Sequence, residues 1–171
     1  MKRLSMVLAF TLVLGAGSVW AQDVPKVEVF GGGSILNVRD NGGELTMKGW
    51  TGSVNGNVSD VVGIVGEVGG NYKEGIKIHN FLGGAQFTHR AEKVSVFAQT
   101  KAGFLHSSFG GNGENDFQLS FGGGLDWNAT PSVAIRWFQI DWQPVHEGGG
   151  SGWIKNVFRG SIGIVWKSAS R

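Results

Sequence analysis

The chain has 171 residues, which is enough for one domain but not comfortably for two. It contains no cysteine, so a disulfide scaffold is excluded, and only 16% of its residues are charged. The formal net charge of +2 falls to zero when Lys2 and Arg3 are left out, so charge gives no indication of a nucleic-acid partner.

Residues 1–21 have the order of a secretory signal peptide. Lys2 and Arg3 precede an apolar run over residues 4–14, and small residues follow up to Ala21. The apolar run is too short to span a bilayer as a helix, which needs roughly 20 residues. We therefore predict an exported protein with a single domain over residues 22–171; the alternative is an ordinary N-terminal helix.

The rest of the sequence contains eight stretches that alternate between apolar and polar residues, as β-strands with two different faces do. They run approximately over residues 27–38, 45–58, 61–72, 76–89, 94–104, 115–130, 133–143 and 154–166. No run of about 18 apolar residues follows the signal peptide, and no helical periodicity is evident. The sequence therefore predicts an all-β domain.

The connections between these stretches alternate in length. Residues 59–60, 90–93 and 128–132 are tight links, whereas 39–44, 106–114 and 144–153 are longer and rich in glycine; residues 73–75 are a short exception. Short turns at one end and longer loops at the other, with an even number of strands, are typical of outer-membrane barrels. Both chain ends then lie in the periplasm.

The low charge of the polar rows indicates which face of the sixth stretch meets lipid. Its polar row includes Gln118, Ser120 and Asp126, and the polar rows of the other strands are likewise poor in charge. A soluble barrel needs a more highly charged outer surface, so we predict that the apolar rows face lipid. The predicted lipid-facing residues are Phe117, Leu119, Phe121, Leu125, Trp127, Phe158, Ile162, Ile164 and Trp166. The alternative is a soluble periplasmic ligand-binding barrel.

The seventh stretch breaks the alternation. In a regular strand, the odd-numbered positions would put polar Gln139 on the same face as the apolar residues Val133, Ile135 and Trp137. The even-numbered positions would put Arg136 on the same face as Phe138. A one-residue bulge between residues 137 and 139 would place Arg136, Gln139 and Asp141 all inside the barrel. We predict that bulge.

The segments VEVFGGGSIL, GWTGSVNGNVSDVVGIVGEVGGNY, HNFLGGAQFTHR, VSVFAQTKAGFLHSS and FRGSIGIVW resemble the small outer-membrane barrels of the OmpA and OmpX type. The resemblance implies an eight-stranded antiparallel up-and-down transmembrane barrel in the bacterial outer membrane. The sequence ends five residues after Trp166, so we expect no peptidoglycan-binding domain. We expect a monomer in contact with membrane lipid and lipopolysaccharide, inserted by the barrel-assembly machinery, with no nucleic-acid partner and no cofactor.

Charged residues on the polar rows are the first candidate site. The predicted interior network comprises Glu67, Lys101, Asp126, Arg136 and Arg159, with Arg90 and Asp141 as further candidates. Buried charges need partners of opposite sign, so these residues are expected to form ion pairs across the lumen. Such a network either plugs the barrel or, by analogy with other small barrels, acts as the gate of a narrow pore.

The segment HSSFGGNGE is the second candidate site. The order of His106, Ser108 and Glu114 resembles the catalytic arrangement of the outer-membrane lipid A deacylases. We interpret it instead as a polar segment entering a loop, and expect neither an enzyme nor a metal site. The outer loops offer a third possibility, a binding or adhesion function whose ligand the sequence does not name.

Overall fold

The computed structural model describes residues 24–40, 43–109, 112–146 and 152–168; the predicted signal peptide lies outside these ranges. Within them the chain forms ten β-strands: β1 (Val27–Asp40), β2 (Gly43–Asn57), β3 (Val62–Lys73), β4 (Ile76–Arg90), β5 (Val94–Phe109), β6 (Asn112–Thr130), β7 (Val133–Trp142), β8 (Val145–His146), β9 (Trp153–Ile154) and β10 (Val157–Lys167). No helix in the described ranges is long and apolar enough to cross a membrane.

Strands β1 to β7 and β10 form a closed antiparallel sheet in the part of the chain described. Each strand pairs with its neighbour in sequence, β10 pairs with both β7 and β1, and β5 pairs with β6. The predicted fold, an eight-stranded up-and-down barrel, is confirmed. Because the sheet closes on itself, these eight strands leave no unpaired edge.

The two ends of the barrel differ in their connections. The terminal end carries the start of β1, the end of β10 and the turns β2–β3, β4–β5 and β6–β7. In the first of these turns Val58 N donates to Val62 O at 2.9 Å. The distal end carries the other connections, including a two-residue turn at Glu74 (φ 37°) and Gly75 (φ 87°), where both residues have the positive φ of a type I′ turn.

The described residues of two predicted long loops at the distal end are strand instead; residues 41–42 and 110–111 lie outside the described ranges. β1 runs to Asp40 and β2 begins at Gly43, while β5 runs to Phe109 and β6 begins at Asn112. The prediction of loops was therefore wrong for residues 39–40, 43–44, 106–109 and 112–114. An antiparallel hairpin satisfies its own backbone hydrogen bonds in water, so these strands need not stop where the lipid stops.

The predicted eighth strand, residues 154–166, is interrupted. Trp153 and Ile154 form β9, which pairs with β8, and β10 begins at Val157. Between them, Lys155 O accepts a hydrogen bond from Trp142 Nε1 at 2.5 Å, and Asn156 O accepts one from Arg39 N at 2.9 Å. These bonds take up backbone oxygens at the point where the strand would otherwise continue.

The predicted bulge in β7 is confirmed. Asp126 of β6 pairs with Arg136 while Leu125 pairs with Phe138, so Trp137 is the extra residue. Trp137 and Phe138 are consecutive and both exposed, at 65% and 47%, whereas Arg136 and Gln139 are buried. The bulge thus lets an irregular sequence keep its charged and amide side chains inside.

Candidate functional site: the barrel lumen

The outer face carries the apolar rows. Phe117, Phe121, Trp127, Phe158, Ile162, Ile164 and Trp166 are exposed on it, and Leu119 and Leu125 lie on the same row, partly covered. Exposed apolar side chains of this face occur on neighbouring strands around the sheet. Such a surface matches the hydrocarbon of a membrane far better than water.

The central ion-pair cluster, which we define as Glu67, Lys101, Asp141 and Arg159, lies midway along the lumen. Lys101 Nζ is 2.5 Å from Glu67 Oε2 and 3.7 Å from Asp141 Oδ1. Arg159 NH2 contacts Glu67 Oε1 and lies 2.9 Å from Asp141 Oδ2. Each carboxylate therefore faces both cations, and the cluster is electrically neutral although all four residues are buried.

Neutral side chains complete the hydrogen bonding of the two carboxylates. Gln99 Nε2 donates to Asp141 Oδ1 at 2.8 Å, and Gln139 Nε2 donates to Asp141 Oδ2 at 2.7 Å. Asn80 Nδ2 donates to Glu67 Oε1 at 3.4 Å. The sequence interpretation missed these amides as members of the site, although their positions on the polar rows are visible in the sequence.

The other two predicted network residues, Asp126 and Arg136, form a separate pair toward the terminal end. Arg136 Nε and NH2 donate to the two carboxylate oxygens of Asp126 at 2.7 and 2.9 Å. The guanidinium carbon lies 4.4 Å from the centre of the Phe30 ring and 4.1 Å from that of Phe97. Arg136 is thus held by a bidentate ion pair and by two aromatic rings.

Two interior glycines make room for those rings. A Cβ atom at Gly124 would lie 2.8 Å from Phe97 Cζ, and one at Gly163 would lie 2.8 Å from Phe30 Cε2. Arg136 NH1 also donates to Gln139 Oε1 at 2.7 Å, and Gln139 in turn reaches Asp141. The Arg136 pair and the central ion-pair cluster are therefore connected through one amide.

A third ion pair lies at the terminal end itself. Arg90 NH2 is 3.3 Å from Glu28 Oε1, and Arg90 NH1 donates to Asp60 O at 2.7 Å. Lys167 Nζ donates to Asn128 Oδ1 at 2.7 Å nearby. Arg90 was a candidate from its position in the sequence, whereas Glu28 was not, because it directly follows the start of the first strand.

The distal part of the lumen is apolar, which the sequence interpretation did not anticipate. We call it the apolar mouth: Leu36, Met47, Leu105, Val145 and Val157, all buried and packed together. Beside it lies a cavity of about 490 Å³ whose lining includes Leu36, Leu105 and the acidic residues Glu114 and Asp116. The sequence feature that could have predicted it is the pair of adjacent apolar residues at Ile35-Leu36 and again at Phe104-Leu105. Each pair puts one apolar side chain on the outer face and one on the inner face.

His106, Ser108 and Glu114 do not come together as a catalytic triad. His106 lies on the outward row, and its Nδ1 is 2.8 Å from Asn115 Oδ1, while Glu114 lines the inner cavity. The acid that would orient the histidine is therefore on the other side of the sheet. In the described ranges there is also no group of three or more His, Asp or Glu side chains placed to hold a metal ion.

Comparisons with known proteins support the barrel architecture through solved structures alone. No protein-family model matches the sequence, and neither does any curated protein. Among solved structures, Neisserial surface protein A matches with a TM-score of 0.58 at 15% identity, over 83% of this chain and 97% of that one. Ail, the attachment invasion locus protein of Yersinia pestis, matches with 0.56 at 17% identity, over 84% and 98%.

The N-terminal β-barrel domain of Pseudomonas aeruginosa OprF matches with a TM-score of 0.54 at 16% identity, over 85% of this chain and 98% of that domain. Each of these chains is covered almost completely, so the likeness concerns a whole barrel and not a shared fragment. At such identities it speaks for the fold alone. The chain has the closed eight-stranded antiparallel architecture of the small outer-membrane barrels, as its sequence resemblance implies.

Proposed function

We propose that this protein is an integral barrel of the bacterial outer membrane whose lumen is closed by the central ion-pair cluster, and that its role is structural. The observation that carries the proposal is the arrangement of Glu67, Lys101, Asp141 and Arg159. Two acids and two bases contact one another at mid-lumen with no net charge. The exposed apolar rows on the outside supply the surface that a lipid environment requires.

The energetics favour a plug over an open channel. A charge withdrawn from water into a protein interior costs several kcal/mol unless its partner and hydrogen bonds compensate. Here Asp141 receives hydrogen bonds from Gln99, Gln139 and Arg159, so that its charge is well compensated. An eight-stranded barrel also has only enough interior space for its own side chains or for one small ligand, and not for an open channel.

Membrane residence is tested by fractionation combined with gel mobility. The outer-membrane fraction of producing cells is extracted with detergent, and boiled and unboiled samples are compared. A closed membrane barrel stays folded until it is heated, so we expect a heat-dependent shift in that fraction. Recovery from the soluble periplasm without a shift would contradict the proposal and favour a soluble ligand-binding barrel.

A narrow gated pore is the second candidate. Glu67 contacts both Lys101 and Arg159, so one carboxylate has two alternative cationic partners within the same cluster. Exchange between them is a way to open a path past Glu67. Single-channel recordings on the wild type, Lys101→Ala and Glu67→Ala test this. Openings of the wild type that become more frequent in either variant support the gate, whereas negligible conductance in all three disposes of it.

Contact with lipopolysaccharide is a further part of the proposal. Lys48, Tyr72 and Lys77 are direct neighbours across β2, β3 and β4, and all three are exposed near the distal end. Two cations flanking an aromatic ring suit the phosphates of an outer-leaflet lipid A. We expect Lys48→Ala with Lys77→Ala to release co-purified lipopolysaccharide at lower salt than the wild type does. Equal retention would count against this contact.

We also propose that the barrel is a monomer inserted by the barrel-assembly machinery, and that it has no enzymatic activity. The separation of Glu114 from His106 by the sheet supports the absence of lipid A deacylation. Mass spectra of lipid A from cells producing the wild type or Ser108→Ala should be identical. A lost acyl chain that reappears in the variant would overturn this part of the proposal.

A further inference from the structure

The apolar mouth and its cavity are not needed to close the lumen. The central ion-pair cluster already occupies mid-lumen, and the apolar mouth lies beyond it toward the distal end. These side chains are packed together, but the cavity beside them gives up part of the stabilisation that full packing would bring. Their presence here therefore has to be explained by something other than the plug.

The cavity has the size and composition of a small-molecule site. Its volume of about 490 Å³ lies within the roughly 300–1,000 Å³ of typical ligand pockets, which are mostly apolar with a few polar groups. The walls include Leu36, Ile78 and Leu105, and the short β8–β9 hairpin contributes Val145 and Ile154. A small apolar body fits such walls.

The charged groups of the cavity share one sign of charge. Glu114 and Asp116 are successive inward residues of β6, and they line the same cavity as the apolar walls. Among the described residues, no lysine or arginine lines it. Electrostatic attraction is stronger beside a low-dielectric apolar wall than in water, so these two carboxylates favour a cationic group on the ligand.

Two buried amides lie one inward position deeper. Gln118 follows Asp116 on the inward row of β6 and pairs with Val145, and its Nε2 donates to Gln143 Oε1 at 3.5 Å. Gln118 Oε1 and Gln143 Nε2 are buried without a hydrogen-bond partner in the described part of the chain. This level of the lumen therefore offers one acceptor and one donor beneath the acidic pair.

We propose that the distal lumen binds a small organic cation with an apolar body, such as an arylalkyl ammonium. Its ammonium group lies beside Glu114 and Asp116, and its apolar part packs against Leu36, Leu105 and Val157. The central ion-pair cluster forms the barrier below, so the ligand enters and leaves at the distal end. Binding at this site does not depend on whether the barrel conducts.

The chain supplies its own reporter for this site. Met47 is fully buried in the apolar mouth, and the other two methionines, Met1 and Met6, lie in the predicted signal peptide. Protein purified from outer membranes after feeding with isotope-labelled methionine gives a methyl NMR signal that Met47→Leu removes, which assigns it. The protein is placed in lipid nanodiscs and titrated with phenylbutyl-trimethylammonium, phenylbutanol and phenylbutyl sulfate.

We expect the cation to shift the Met47 methyl signal saturably and to bind at least about tenfold more tightly than the sulfate, because two carboxylates attract the first and repel the second. In Glu114→Gln with Asp116→Asn, the preference for the cation over phenylbutanol should disappear. Leu105→Trp, which fills the cavity, should abolish the shift with all three probes. Heat-dependent gel mobility shows that each variant is folded.

Three results would overturn the proposal. The first is a Met47 signal that does not respond to the cation in a folded barrel, and the second is a sulfate that binds as tightly as the cation. The third is a doubly neutralised variant that keeps its preference for the cation. The first excludes the cavity as a site. The second and third exclude Glu114 and Asp116 as the groups that select the ligand.

Discussion

Arg159 is the residue on which the central ion-pair cluster depends most. It is fully buried, at 0% exposure, and its NH2 group contacts both carboxylates of the cluster. Lys101 Nζ also faces both carboxylates, but it lies 3.7 Å from Asp141 Oδ1, whereas Arg159 NH2 lies 2.9 Å from Asp141 Oδ2. The ion pair of Asp141 therefore depends more on the arginine than on the lysine.

Replacing Arg159 with methionine should destabilise the barrel by about 3–5 kcal/mol, the range for breaking a buried ion pair by removing one partner. Urea unfolding in lipid vesicles measures the loss. Adding Glu67→Gln should recover part of it, because the cluster is then neutral again. Glu44→Gln, in the exposed Arg39–Glu44 pair, is the control and should leave the unfolding midpoint in place. An unchanged midpoint for Arg159→Met would refute a stabilising role.

Adjacent glycines in β1 make a second test at this scale. A Cβ atom at Gly32 would collide with the backbone oxygen of Ile162, whereas one at Gly33 would meet nothing within 4 Å. Gly32→Ala should cost about 1–3 kcal/mol through overpacking, and Gly33→Ala should be neutral or stabilising because it restricts the unfolded chain. Both are measured by the same urea unfolding. Equal effects would show that the inward and outward positions are wrongly assigned.

For single residues, the sequence predicted only which face of the sheet each side chain lies on, because that follows from the alternation of odd and even positions. Parity places Glu67 and Arg159 on inward rows, but it does not say at which height along the lumen each side chain lies. That height depends on strand register, such as the pairing of Arg159 with Asp141 and of Arg136 with Gly163. Grouping the charges into a central cluster and a separate Asp126–Arg136 pair therefore required the structure.

The bulge in β7 is the feature to test at the scale of the element. Trp137 is the extra residue, so deleting it should restore regular alternation and leave Gln139 and Asp141 inside. Deleting Ala98 from the regular strand β5 should instead turn one half of that strand inside out. We expect a heat-dependent gel shift for the first deletion and none for the second. Loss of the shift in both would mean that the bulge is itself required for folding.

Strand identity was readable from alternation, whereas strand ends were not. Alternation weakens where both faces of a hairpin meet water, and the glycines near residues 41 and 110 favoured loops. The dipeptide Asn41-Gly42 is, however, the sequence typical of a two-residue hairpin connection, and it lies between β1 and β2. Weighing that turn signal above glycine content would have predicted the longer strands.

Orientation in the membrane is a property of the whole molecule, and the absence of cysteine makes it testable. We expect Glu74→Cys, in the β3–β4 turn at the distal end, to react with a membrane-impermeant maleimide on intact cells. Asp60→Cys, in the β2–β3 connection at the terminal end, should react only after the outer membrane is permeabilised. Both native residues are exposed, so access to reagent is matched. The reverse labelling pattern would show that the barrel has the opposite orientation in the membrane.

The fold as a whole was the most predictable level, because eight alternating stretches leave few ways to bury backbone polar groups in lipid. The apolar mouth was the least predictable. Leu36 and Met47 are partners across the β1–β2 hairpin, but Leu105 lies on β5 and meets them only because the barrel closes, so no local pattern reports that contact. A ligand site in the lumen therefore could not be predicted from the sequence.

The length of the distal strands bears on how other molecules meet this protein. β6 has 19 residues, which at about 3.4 Å per residue and a tilt of about 45° rise about 45 Å, against an apolar band of about 25 Å. The part that stands above the membrane is then largely paired sheet. A macromolecule that binds there meets a surface that is already ordered, so its association loses little conformational entropy.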